Sequence, residues 1–357
     1  MCLHQGTKVP IKFAGTGKAW LINMKKHILT IFTGILTSIC MLTACGNSSQ
    51  GMTSNIDVSD EKKIDIVCTA FPQYDWVSNV IKGNEDDFSV TLLNDNGGDL
   101  HNYQPSAMDM AIISDCDLFI YVGGESDSWV EDALKEAVNE EMHIINMMDM
   151  VGDGLVLGEH HHDENEEHGH EHSEEAVYDE HVWLSLHNAR LLVEGICDNL
   201  KEIDIENANQ YEQNCETYVT RLTELDNEYK TAVDASETKT LLFADRFPFK
   251  YMIEDYGINY FAAFEGCSAE TEASFETVAF LAEKTDELGL DTIVVIDGSD
   301  KKLAEVIIEN TAEKNQQIVV LDSLQAVSKE DIESGVTYLK VMENNLTVVE
   351  QALGTSD

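Results

Sequence analysis

Lys63-Ile64-Asp65-Ile66-Val67-Cys68 alternates polar and apolar residues and then turns apolar, as a strand does when it runs into a covered core. Trp76, Val77, Val80 and Ile81 follow at helical spacing, and Val90-Thr91-Leu92-Leu93 reads as a second strand. Ser106 opens a short helix that runs to Ile113, with Asp109 placed for a capping box. Leu118-Phe119-Ile120-Tyr121-Val122 is a third strand, residues 129–138 a helix, and Ile144-Ile145 marks a fourth strand. Strand alternating with helix predicts a parallel sheet covered by helices.

The pattern changes further along. From about residue 186 to 234 the chain reads as helix. Tyr211, Cys215, Tyr218, Val219, Leu222, Leu225, Tyr229 and Val233 step by three and four, one packed face of a long helix. Ile203-Asp204-Ile205 is a place where it can break. Strands then recur at 240–243, 259–262, 292–296 and 317–321, with helices at 249–256, 274–288, 301–315 and 338–353. The expected fold is α/β: an N-terminal lobe over residues 61–185 and a C-terminal lobe over 236–357, joined by a linking helix at 186–235.

With 22 Lys and Arg against 67 Asp and Glu, the chain has a formal charge of −45. Such a surface makes nucleic acid and anionic lipid poor partners and suits cations. Residues 1–44 are the exception, with five Lys and no acid, the pattern of a targeting segment. Met24 is the expected start. Lys25 and Lys26 form a positive n-region, and residues 28–44 are uncharged and mostly apolar. Leu42-Thr43-Ala44-Cys45 resembles the lipobox of bacterial lipoproteins, in which the Cys thiol is diacylated and the chain is cut just before it. The competing reading, a membrane-spanning anchor, has a run at the short limit for crossing a bilayer. The expectation is a signal peptide over 1–44, lipidation at Cys45, a flexible tether over 45–60, and a mature protein held outside the cytoplasm by its lipid. Cys68, Cys116, Cys197, Cys215 and Cys267 form no C-x-x-C pair and carry no assigned disulfide.

Residues 159–175, EHHHDENEEHGHEHSEE, hold no core-forming side chain and read as a solvated loop. His160, His161, His162, His168, His170 and His172 make it an auxiliary metal-binding loop, since imidazole suits zinc, copper and nickel. A loop that imposes no fixed geometry binds modestly, so the main site belongs elsewhere. Gly97-Gly98-Asp99-Leu100-His101-Asn102-Tyr103-Gln104-Pro105-Ser106 puts His101 in the loop after the second strand, where open parallel sheets bind ligands. His181 lies in Asp179-Glu180-His181-Val182-Trp183-Leu184-Ser185. Taken singly, each is also consistent with an ordinary satisfied histidine.

G-x-D-x-H-x-Y-x-P-S, a His/Asp/Glu-rich insertion, and D-x-H-V-W-L-S before a long helix occur here in order. From about residue 62 to 353 the chain resembles the metal-binding lipoproteins of zinc and manganese ABC importers, the cluster A-I solute-binding proteins. The resemblance implies two lobes, each a four-stranded parallel sheet covered by helices, joined by a rigid backbone helix, with metal in the cleft between them. It carries the first two ligands to His101 and His181. The third departs from the family pattern. Gapless alignment on Tyr251 and Tyr256-Gly257 puts Arg246 there, and guanidinium cannot ligate a cation. One inserted residue puts Asp245 there instead, the favoured reading. The alternative is a site that lacks this ligand, completed by the His-rich loop or water. The family's fourth position falls on Asp322 in Asp322-Ser323-Leu324, ahead of Asp297, Cys267, Glu270 and Glu272.

Two His with carboxylates alone could hold manganese, iron or zinc; the His-rich loop tips the expectation to Zn²⁺, because Mn²⁺ prefers oxygen donors and binds imidazole more weakly. The implied role is capture of Zn²⁺ by a monomer and delivery to an ABC permease with a separate ATPase subunit. A manganese or iron importer component, a surface metal chaperone and an adhesin are the alternatives. A zinc hydrolase is disfavoured, because the chain has neither H-E-x-x-H nor G-x-S-x-G.

Overall fold

The structure, a computed structural model, describes residues 62–158, 177–264, 266 and 273–355 of the 357. The leader, Cys45, the tether, the His-rich loop with His160 to His172, and Cys267, Glu270 and Glu272 lie outside the described residues. Among the described residues no helix is long and apolar enough to cross a membrane.

The N-terminal lobe runs β1 (Ile64–Cys68), α1 (Phe71–Val80), β2 (Phe88–Leu92), α2 (Ala107–Asp115), β3 (Leu118–Tyr121), α3 (Val130–Lys135), β4 (His143–Asn146) and α4 (Met147–Val151). Its four parallel strands lie in the order β2-β1-β3-β4. Two helices follow, α5 (Leu186–Ile203) and α6 (Ala208–Ala235). The C-terminal lobe is β5 (Thr240–Phe243), α7 (Lys250–Tyr256), β6 (Asn259–Ala262), α8 (Phe275–Leu288), β7 (Thr292–Ile296), α9 (Lys302–Asn310), β8 (Gln317–Leu321), α10 (Lys329–Glu333) and α11 (Tyr338–Ala352). Its parallel order, β6-β5-β7-β8, repeats that of the first lobe.

The pleat explains why the strands read as continuous apolar runs. On β1, Ile66 and Cys68 enter a central core while Val67 joins an outer one; on β3, Leu118 and Ile120 face inward and Phe119 outward. The second sheet divides likewise, with Leu241, Phe243, Val294 and Ile296 inward and Leu242, Ile293 and Val295 outward. The central core includes residues of both lobes and of α5 and α6.

The linking segment, expected as helix over 186–235 with a place to break at Ile203-Asp204-Ile205, is two helices. It breaks after Ile203, because the Asp204 carboxylate accepts from the Asn207 amide N–H and side chain and from the Tyr211 hydroxyl, which turns the chain. The linking role falls to α6, 28 residues and about 42 Å long. Tyr218 donates to Asp75 on α1 at 2.9 Å, and Tyr229 to the Met342 carbonyl on α11 at 2.7 Å, so one helix grips both lobes. The expected cap holds: Ser106 Oγ accepts the Met108 and Asp109 N–H groups, and Asp109 takes that of Ser106. The helix expected over 301–315 stops at Asn310, where Thr311 Oγ1 donates to the Ile308 carbonyl and accepts the Lys314 N–H.

Candidate metal centre

Asp99 and Asp179 each stand two residues before a histidine, and each carboxylate accepts that histidine's backbone N–H, at 3.0 Å for His101 and 2.9 Å for His181. These turns stop the chain at the rim of the N-terminal lobe and aim both rings. The result is a pair: His101 Nε2 and His181 Nε2 lie 3.1 Å apart.

The other ring nitrogens decide what that pair can do. His181 Nδ1 faces Asp179 Oδ1 at 2.9 Å, a carboxylate that only accepts, so Nδ1 carries the proton. His101 Nδ1 lies 3.1 Å from Glu180 Oε1 and 2.7 Å from Ser126 Oγ. Ser126 spends its own proton on Glu180 at 2.8 Å, so His101 Nδ1 is also the donor. Both Nε2 atoms then present lone pairs to each other. Two lone pairs at this distance repel unless a cation, a proton or a metal ion, sits between them. Burial pushes the Glu180 and Asp179 carboxyls up, but the hydrogen bonds and charge of the histidines outweigh it and hold both below their ordinary values.

The opposite lobe clamps this arrangement. Tyr251 OH donates to the Asp179 carbonyl at 2.7 Å, Trp183 Nε1 to the Ser323 carbonyl at 2.9 Å, and Tyr338 OH to the Trp183 carbonyl at 2.7 Å. Arg246, from the loop after β5, forms an ion pair with Asp99. Asp245 Oδ1 accepts the Arg246 backbone N–H at 2.9 Å, and Asp322 Oδ1 accepts the Leu324 N–H at 2.8 Å. Asp322 is pushed up to about 6, first by burial and then by the charge of Asp297. The structure brings His101 and His181 together. Among the described residues, no third His, Cys, Asp or Glu joins them in a group able to hold a metal. Sequence reasoning missed Ser126 and Glu180 as the groups that orient His101. The repeated D-x-H was a readable signal for Asp99 and Asp179; Ser126, brought in by the loop after β3, left none.

Zinc-binding protein AdcA of Streptococcus pyogenes serotype M18 (strain MGAS8232) is 31% identical over 305 residues, 83% of this chain and 57% of AdcA. The chain therefore spans little more than half the length of that relative. The high-affinity zinc uptake system protein ZnuA of Bacillus subtilis (strain 168) is 29% identical over 320 residues, 89% of this chain and 96% of that protein. The crystal structure of the Zn(II)-bound ZnuA-like domain of Streptococcus pneumoniae AdcA matches with a TM-score of 0.65 at 28% identity, covering 82% of this chain and 99% of that one. A family model, the zinc-uptake complex component A, periplasmic, matches residues 66–352. With that match running from β1 to the end of α11 and taking in the histidine pair, the chain belongs to the periplasmic zinc-uptake component A family.

Proposed function

We propose that the protein captures Zn²⁺ in the cleft between its lobes and hands it to an ABC importer whose permease and ATPase are separate chains. The observation that carries this reading is the 3.1 Å separation of the two Nε2 atoms. Zn–N bonds of about 2.0–2.1 Å at a tetrahedral angle set two nitrogens roughly 3.3 Å apart, so a zinc ion fits with little movement of either ring. Each ring is already backed by a carboxylate through Nδ1, the arrangement that fixes the tautomer of a metal-binding histidine and raises its basicity. Nitrogen donors favour zinc over manganese, and the relatives named above are zinc-binding or zinc-uptake proteins. Asp245 and Asp322, each just beyond the carboxyl end of a C-terminal-lobe strand, are the proposed third and fourth ligands. The role is binding and delivery, with no catalysis, by a monomer anchored through Cys45.

Calorimetry against a competing chelator, on protein lacking residues 159–175, tests the reading. One tight Zn²⁺ site is expected, unperturbed by Mn²⁺ in excess, and weakened by orders of magnitude in His101→Ala and in His181→Ala. Wild-type affinity in both variants would overturn it.

A further inference from the structure

Helices α5 and α6 are antiparallel, and two side-chain contacts fix their register. Arg190 Nη1 donates to Thr223 Oγ1 at 3.3 Å, and Lys201 Nζ reaches Glu212 Oε1 at 3.4 Å. Cys197 stands seven residues after Arg190, and Cys215 eight before Thr223. From the other contact, Cys197 is four before Lys201 and Cys215 three after Glu212. Both contacts therefore set the two cysteines opposite each other. Cys215 Sγ lies 3.9 Å from the Val193 carbonyl, one turn before Cys197 on α5. Both residues are buried, and both are free thiols.

We propose that Cys197 and Cys215 are a reversible oxidation site that closes a disulfide between α5 and α6. The neighbouring Cys215 thiol, helped by the Lys201 ammonium and opposed by burial, holds Cys197 below the ordinary thiol value, while Cys215 is raised. A low thiol beside a cation is the nucleophile, and the neighbour resolves it. The oxidant is a peroxide. Cys197 thiolate attacks one peroxide oxygen; the S–O bond forms, the O–O bond breaks, and hydroxide leaves with the electron pair. Cys215 then attacks the sulfenic sulfur. The S–S bond forms, the S–O bond breaks, and the Cys215 proton departs with the oxygen as water. A thiol reductant reverses the step. Cys68 and Cys116 lack this setting: burial pushes the Cys68 thiol well up, and that of Cys116 up to about 12. The cross-link would pin the long helix that grips both lobes to α5, which begins just after the 3₁₀ turn that follows His181.

The test treats the mature protein with hydrogen peroxide, alkylates it under denaturing conditions with and without prior reduction, and maps the digest by mass. The expected product joins the Cys197 and Cys215 peptides, lighter by two hydrogens than the separate thiol peptides, and is lost on reduction. In Cys215→Ser the link should vanish and dimedone should tag Cys197 as sulfenic acid. If both cysteines are still alkylated as thiols once peroxide has converted the methionines to sulfoxide, the proposal fails. A link from either one to a different cysteine also overturns it. The wild-type digest decides the matter even if Cys215→Ser does not fold.

Discussion

Glu180 occupies the middle of D-x-H, yet its carboxylate turns back to the other histidine. Oε1 faces His101 Nδ1 at 3.1 Å, while Oε2 takes the Ser126 N–H at 3.1 Å. One residue thus ties the His181 segment to the His101 ring. Glu180→Gln keeps an acceptor for Ser126 and removes the charge behind His101. Its expected effect is a 10- to 100-fold loss of zinc affinity, the usual cost of losing an outer-shell partner, read by chelator competition; unchanged affinity would show that Glu180 does not orient the ring. Asp245 and Arg246 separate in the same assay. As a ligand, Asp245 should cost orders of magnitude when changed to Ala and recover much of that as His. Arg246 holds Asp99, which holds the His101 turn, so Arg246→Ala should weaken binding less, through position rather than coordination. Wild-type affinity in Asp245→Ala would leave the site to His101, His181, Asp322 and water.

Among the elements, the contact between α1 and α6 carries a charge in a costly place. Asp75 is buried and accepts from Tyr218 OH at 2.9 Å and Asn79 Nδ2 at 3.1 Å. Burial outweighs the bonds from the Tyr218 hydroxyl and the Tyr338 backbone and raises its carboxyl from 3.8 to about 6. Between those values the folded chain holds more protons than the unfolded one, so stability falls as pH rises through that window. The full cost is present above about 6. Asp75→Asn removes the charge and keeps an acceptor. It should raise the unfolding free energy near neutral pH by up to about 3 kcal/mol, with the gain fading at acid pH below the unfolded value. Urea titrations across pH measure this; a gain that is the same at acid and neutral pH would contradict it. The elements themselves were largely legible, because a strand buried on both faces and a helix with one apolar face leave different periods. Thr240–Phe243, Asn259–Ala262, Thr292–Ile296 and Gln317–Leu321 fall where their apolar runs stand. The short helices Met147–Val151 and Lys329–Glu333 were not legible, being too brief to show a period. The cysteine pairing was hidden for another reason: it depends on the register of an antiparallel pair, and that register follows from the turn at Asp204. The motifs around His101 and His181 made both readable, while the groups behind His101 converge only in the folded lobe.

For the molecule as a whole, two lobes of one topology share a core; the first supplies the histidine pair, and the second carries Asp245 and Asp322 just beyond the carboxyl ends of β5 and β8. This arrangement predicts two tiers of binding. Deleting residues 159–175 should remove weak zinc sites and leave one tight site, because ordered ligands lose less entropy than loop ligands; loss of all binding would show that the loop is the site. Cys45→Ala should release the protein from the membrane fraction or leave it unprocessed, since two acyl chains suffice for stable anchoring. Normal cleavage with unchanged attachment would count against the lipid anchor. The most direct test of the histidine-pair account is anomalous diffraction at the zinc edge from crystals of the zinc-loaded protein. A peak is expected in the cleft, about 2.0–2.1 Å from both His101 Nε2 and His181 Nε2. A fully occupied zinc peak that touches neither nitrogen would contradict it.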